Sequence, residues 1–361
     1  MANWIIDRIV HFDFGRDIVR NGVAHFGFYD RHGRYFAVLH TKHFVGFAGE
    51  NDRLKWTVAA KPVLAGVPNI SAPLEFPMYV DVLPDDALVV SNFKTAELYR
   101  IDLSTMTARL LVNGHALGMV DMGNCVIDEE GYVWVNEVSG CRLWRFDSTG
   151  RPVEVLGDGS SGFRADPVPF SEARFSWIYD IRRGPNNTIC VLDSRNFAIR
   201  IIDIARRCVT TIAGDGRPGY EGDGGNARNA RFGSNPQAKF DGPISLSVDE
   251  DGSVYIGDRF NHVVRMIDGV TGVISTIAGT QQAIEGRPND TNQRNPLRLN
   301  LPKISSMDYH DGRLFVPTDL TADSGDLIVL RKPCRANREL GLPRQLKHPN
   351  KNTVFRATHL A

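Results

Sequence analysis

The chain repeats itself at a spacing of roughly forty residues, and that periodicity restricts its fold more than any single motif does. The segment "GPISLSVDEDGSVYIGDRFNHVVRMIDGVTGVISTIAG", from Gly242, aligns nearly position for position with "WIYDIRRGPNNTICVLDSRNFAIRIIDIARRCVTTIAG", from Trp177. A third copy starts at Gly123 and a fourth at Met78, with weaker ones near His25 and Lys303, six units in all. In each unit a β-branched run ends in a tight turn such as Asp249–Gly252, and three further short runs follow, separated by polar turns. Short strands divided by Gly, Asn and Asp turns argue for an all-β fold. No stretch between them carries the 3.6-residue period that a βαβ architecture needs. The expected fold is a six-bladed β-propeller of four-stranded antiparallel blades. The last unit lacks an obvious fourth strand before "RKPCRANREL", and the run Trp4–Phe14 is available to supply it. Pairing first and last segments would close the ring and remove exposed sheet edges. Residues 1–332 are thus expected to form the propeller, and 333–361 a basic tail strapped against it.

Composition adds limits rather than a function. The 361 residues include 42 basic and 42 acidic ones, so net charge gives no general reason to expect a nucleic-acid or membrane-surface partner. The N-terminal run carries Asp7 and Arg8 and no small-residue cleavage site, so it is expected as a strand rather than a signal peptide. No apolar run approaches the ~18 residues of a membrane span. The five cysteines lack C-x-x-C spacing, and four of them sit among apolar residues as small hydrophobes would. A reduced, cytoplasmic protein is the expectation.

The stretch "DGSVYIGDRFNHVVRMID…GVISTIAG" resembles an NHL repeat in its Tyr-containing strand, its Asp, its Asn-His pair and its Arg. The likeness is specific over Met119–Gly279 and weaker elsewhere. It implies a six-bladed propeller and a structural role for Asp193, Asp258 and His262. Two enzyme families on similar propellers supply a test. Gluconolactonase-like hydrolases place metal-binding Glu, Asn and Asp at the start of the innermost strands, and amidating lyases place zinc-binding His there. The matching positions here are His25, Met78, Gly123, Tyr179, Ile244 and Ile304, so neither ligand set carries over.

The segment "TTIAGDGRPGYEGDGGNARNARF", Thr210–Phe232, spells G-x-G-x-x-G and adds Asp215, Glu221 and Asp223. It follows a strand without opening a helix, so no helix N-terminus awaits a pyrophosphate. Its spacing fits no standard calcium loop. An architectural corner is expected, with glycines supplying positive φ angles.

In such a meander the blade-to-blade connectors and the turns between second and third strands share one face. The connectors here are long, and ligands gather where long loops crowd a rigid scaffold. On that face Leu39, Asn92, Glu137, Asp193, Asp258 and Thr318 occupy one repeated position, whose short acids are expected to cap their own turns. Glu137 is too long for that bond and is a catalytic candidate. One step along the innermost strands lie Tyr79, Asn124 and Asp180; Asp180 is the second catalytic candidate. Asn92, Asn124, Tyr179, Tyr79, His25, His40 and His43 are the ligand-binding candidates. A divalent cation, calcium or magnesium, is the cofactor such oxygen donors would suit. No H-E-x-x-H, G-x-S-x-G or C-x-x-C is present. The reading is a propeller that holds a small molecule in its funnel, with hydrolase or lyase chemistry as an extension. A protein-interaction scaffold is the alternative. Weak RNA or polyanion binding, through connector arginines or the tail, ranks third.

Overall fold

The structure, a computed structural model, describes residues 4–13, 27–29, 33–48, 54–164, 166–233, 242–282, 295–321 and 324–332. His25 and the basic tail 333–361 lie outside the described residues. Six separate sheets form six blades, and among the described residues there is no α-helix. The innermost strands are Gly27–Tyr29, Pro77–Val82, Cys125–Ile127, Ile178–Gly184, Ser245–Val248 and Asp308–His310, in blades 1 to 6. Each touches the innermost strand of a neighbouring blade, which makes a ring round a central axis.

Ile5–Asp13 pairs antiparallel with Ser324–Arg331 and becomes the outer strand of blade 6, from Ile5 opposite Arg331 to Asp13 opposite Ser324. The ring is therefore closed by the N-terminal strand. Trp4 anchors it, with its ring edge-on to Tyr255 at 5.5 Å.

Alternating apolar residues on both faces of each blade bury against the next blade. Ile199 and Leu192 of blade 4 share one buried cluster with Leu246 and Ile256 of blade 5, all fully buried. Each such side chain contributes about 1.5–3 kcal/mol when taken from water. Connectors also blunt the outer edges. Asn69–Ser71 pairs with the outer strand Leu54–Ala59 of blade 1, and Val168–Pro169 with Cys208–Ala213 of blade 4.

The glycine-rich connector behaves as a corner. Gly214 has φ +97°, and a Cβ there would lie 2.0 Å from the Phe197 carbonyl oxygen, so no other residue fits. Further along, Gly224 donates to the Ile274 carbonyl at 2.8 Å and covers the outer edge of blade 5. The carboxylates of this connector are taken by arginines: Asp215 by Arg217 and Arg231, Glu221 by Arg231, Asp223 by Arg265. Arg265 is fully buried, stacks 5.2 Å from the Phe232 ring and also donates to the Glu221 and Arg231 carbonyls. The repeat arginine is the peg round which the connector folds.

Candidate functional site

The repeated acid position does more than cap its own turn. Asn92 Oδ1 accepts the Glu75 N–H at 2.7 Å, Glu137 Oε1 the Val120 N–H at 2.6 Å, and Asp193 Oδ1 the Ser176 N–H at 2.7 Å. Glu75, Val120 and Ser176 are equivalent connector residues, each just ahead of an innermost strand. The side chain is a latch that fixes the incoming connector, and the expectation of a purely local cap is corrected. Where the latch is short, the residue three places on completes it: Asn196 donates to Asp193 at 2.9 Å and Asn261 to Asp258 at 2.8 Å. In blade 3 that partner is Gly140, and the longer Glu137 fills the vacated space; a Cβ on Gly140 would sit 2.1 Å from Glu137 Oε1. Arg142 and Trp144 replace the missing donor, binding Glu137 at 2.6–3.0 Å. Glu137 is fully buried and both its oxygens are engaged, so its geometry is that of a latch.

The same connectors build a pocket. One residue further on, Phe76 and Trp177 hold left-handed backbone, φ 64° and 60°. That conformation costs a bulky side chain about 1–3 kcal/mol. It points each carbonyl at a turn N–H: Phe93 donates to Phe76 O at 3.0 Å and Ser194 to Trp177 O at 3.2 Å. In blade 3, between them, Asp121 stands at the same position and its carboxylate accepts the Val138 N–H instead, at 2.6 Å. The two aromatic rings therefore flank a gap over blade 3. Met78 and Phe93 from blade 2 and Tyr179 from blade 4 extend its apolar wall, and the cavity measures ≈560 Å³. Lys94 and Val120 stand at its margin. Connectors and the turns between second and third strands supply most of its lining, over blade 3, whereas the sequence reading looks to the central funnel.

His40 and His43 sit behind this wall. His40 stacks on the Phe76 ring at 5.3 Å and its Nδ1 lies 2.5 Å from the Pro77 carbonyl. His43 Nδ1 accepts the Phe76 N–H at 3.0 Å. Both buttress the strained aromatic. On the other side the Trp177 backbone N–H donates to Cys141 Sγ at 3.4 Å, and Arg195 lies 4.9 Å from the Trp177 ring centroid.

Tyr79, Asn124 and Asp180 come together one layer deeper, near the axis. Asn124 donates to Asp180 Oδ1 at 2.5 Å, and Arg182 donates to the same oxygen. Arg182 also crosses from blade 4 to lie 4.6 Å from the Tyr79 ring centroid of blade 2. Asp180 Oδ2 accepts the Leu246 N–H at 2.8 Å. Asp81 and Asp308, on blades 2 and 6, make the same kind of bond to Ile127 N–H and Tyr29 N–H at 2.8 and 2.9 Å. Alternate blades are thus stitched to their successors by an innermost-strand aspartate. Burial pushes the Asp180 carboxyl up to about 6 although Arg182 opposes the shift. Burial likewise lifts Asp308 to about 7 against the Tyr29 N–H and the Arg182 charge. Among the described residues no three His, Cys, Asp or Glu side chains are grouped to hold a metal ion.

Of the candidates named from sequence, Tyr179 lines the pocket, while Asn92 and Glu137 are latches and His40 and His43 are buttresses. Phe76, Phe93, Lys94, Trp177 and Arg182 were not anticipated. The available signal was the aromatic placed just ahead of the innermost strand in units 2 and 4, as in "LEFP" and "RFSW".

No protein-family model matches the chain, and no curated protein matches it in sequence. Solved structures do match in shape. Virginiamycin B lyase from Staphylococcus aureus aligns with TM-score 0.55 at 11% identity, over 90% of this chain and 99% of that one. An auxiliary nutrient binding protein from Bacteroides thetaiotaomicron gives TM-score 0.57 at 13% identity, over 86% and 70%. A luciferin-regenerating enzyme gives 0.55 at 9% identity, over 90% and 95%. At these identities the likeness shows the six-bladed fold alone. No helix among the described residues is long and apolar enough to cross a membrane.

Proposed function

We propose that the protein binds a small molecule with an apolar body in the pocket spanning blades 2 to 4. The observation that carries this is the pair Phe76 and Trp177, two bulky aromatics held in left-handed backbone on either side of one cavity. Strained residues persist only where their surroundings over-determine them, and they cluster at ligand clamps. Here His40, His43, Cys141 and Arg195 supply the restraint. The cavity's ≈560 Å³ falls within the usual range for small-molecule sites. Propellers of this shape include proteins named for acting on or binding small molecules, a lyase and a nutrient binding protein among them.

Binding, rather than turnover, is the reading the geometry favours. Asp121 gives its oxygens to Val138 N–H, Ser139 N–H and the Ser139 hydroxyl, and Glu137 and Asp180 are engaged as described. Hydrolase or lyase chemistry is therefore not part of the proposal. We also read the repeat as NHL-type, on the buried Asp–Asn latch and the Arg peg shared by blades 4 and 5. The free thiols Cys125, Cys141 and Cys190, all buried, fit a reducing compartment such as the cytoplasm.

The test is a screen of small apolar molecules by ligand-observed NMR, repeated on Trp177→Ala and Phe76→Ala. Hits that lose their signal on both variants support the pocket. Hits that bind both variants as well as the wild type would place the site elsewhere and overturn the reading.

A further inference from the structure

We propose that the ligand of this pocket is a planar aromatic molecule bearing one anionic group, and that Lys94 reads the charge; the proposal rests on the pocket reading above. The body follows from the walls. Phe76, Phe93, Trp177 and Tyr179 present four aromatic side chains to one cavity, and aromatic partners gain beyond their buried area when they stack or meet edge to face.

The charge follows from which ionic groups remain exchangeable. Two charged side chains border the cavity among the described residues, Asp121 and Lys94. Asp121 is buried and committed to three donors on the turn Val138–Ser139, so a cationic ligand would have to break structural bonds to reach it. Lys94 is different. Its Nζ meets Glu75 Oε1 at 3.3 Å, and both side chains are 52% exposed. A pair so exposed holds weakly, and an incoming anion can displace Glu75 at little cost. The main chain of Glu75 is meanwhile latched by Asn92, so the carboxylate can swing away without releasing the connector. Arg195, exposed and 4.9 Å from the Trp177 ring centroid, adds positive charge behind the aromatic wall without lining the cavity. An anionic group beside Lys94 then makes a charge-assisted hydrogen bond partly screened from water by the aromatic wall.

A matched set of probes separates this from the pocket reading: 2-naphthoate, 2-naphthamide and 2-naphthylmethylammonium, titrated by calorimetry on the full chain. The acid should bind about tenfold more tightly than the amide, ~1.4 kcal/mol, and the ammonium more weakly than either. Lys94→Met should remove the preference for the acid while leaving the affinity for the amide. Glu75→Gln should tighten the acid alone, because its competitor for Lys94 is gone. Equal binding of acid and amide by the wild type, or a preference that survives Lys94→Met, would overturn the anion proposal and leave the pocket standing. Binding of none of the three would overturn both.

Discussion

Gly140 has no side chain because Glu137 occupies the space one would fill. Latch and glycine form one unit: a short acid with Asn three residues on, or a long acid with Gly three residues on. Gly140→Ala should therefore cost about 1–3 kcal/mol by overpacking, although alanine is otherwise the mildest replacement. A denaturant midpoint shifted at unchanged slope would show it; an unshifted midpoint would remove Glu137 from the latch. Trp177 allows stability and binding to be separated. Its φ of 60° suits glycine and strains alanine, so Trp177→Gly should be more stable than Trp177→Ala by about 1 kcal/mol. Both should lose the pocket's ligand. If the alanine variant melts no lower than the glycine variant, the backbone strain assigned here is absent.

At the scale of the strand and connector, closure depends on Ile5–Asp13. Without it the strand Ser324–Arg331 would expose a row of unpaired N–H and C=O groups, and Tyr255 would lose Trp4. Deletion of residues 1–13 should give a chain that aggregates or unfolds without a cooperative transition, observed by circular dichroism and size-exclusion chromatography. A monomeric, cooperatively melting product would contradict the closure. Connectors belong to this scale as well. Their length marked the face where ligands were expected, and the stretch Gly214–Phe232, expected as a corner, is pegged by Arg265 and paired along blade 5. The proposed pocket is lined instead by the short runs just ahead of the innermost strands of blades 2 to 4, where backbone conformation differs from blade to blade.

Over the whole molecule, the axis gathers ionisable side chains from separate blades: half-buried Asp81 and buried Tyr79 from blade 2, buried Asp180 and Arg182 from blade 4, and buried Asp308 from blade 6. Asp180 and Asp308 have carboxyls raised to about 6 and 7 by burial, and Asp193 is raised to about 6 for the same reason. The folded state thus holds protons that the unfolded chain, with ordinary aspartates near 3.9, has released. Their favourable contribution is complete below about pH 4 and is lost as pH rises through 6 and 7. Carboxylates lowered by their partners, such as Asp85 beside Arg100, contribute in the opposite sense and are lost only in stronger acid. Thermal stability should accordingly increase from pH 8 to pH 5. Asp308→Asn keeps an acceptor for the Tyr29 N–H and should flatten that rise, as followed by calorimetry at fixed ionic strength. An unaltered profile would remove Asp308 as the titrating group.

The repeat by itself determined the blade number, the four-strand pattern, the closing role of the N-terminal strand and the face on which the long connectors lie. Those features follow from alternation and turn chemistry, which are local and survive in a linear string. The pocket and the axial cluster were decided only in three dimensions. Phe76 and Trp177 are about a hundred residues apart and face one cavity because the ring places blades 2 and 4 on either side of blade 3. Whether a carboxylate such as Glu137 is a latch or an acid depends on which N–H groups surround it, and those belong to another segment of the chain. Distance across the ring and competition for donors are properties of the closed fold, and nothing in the order of residues records them.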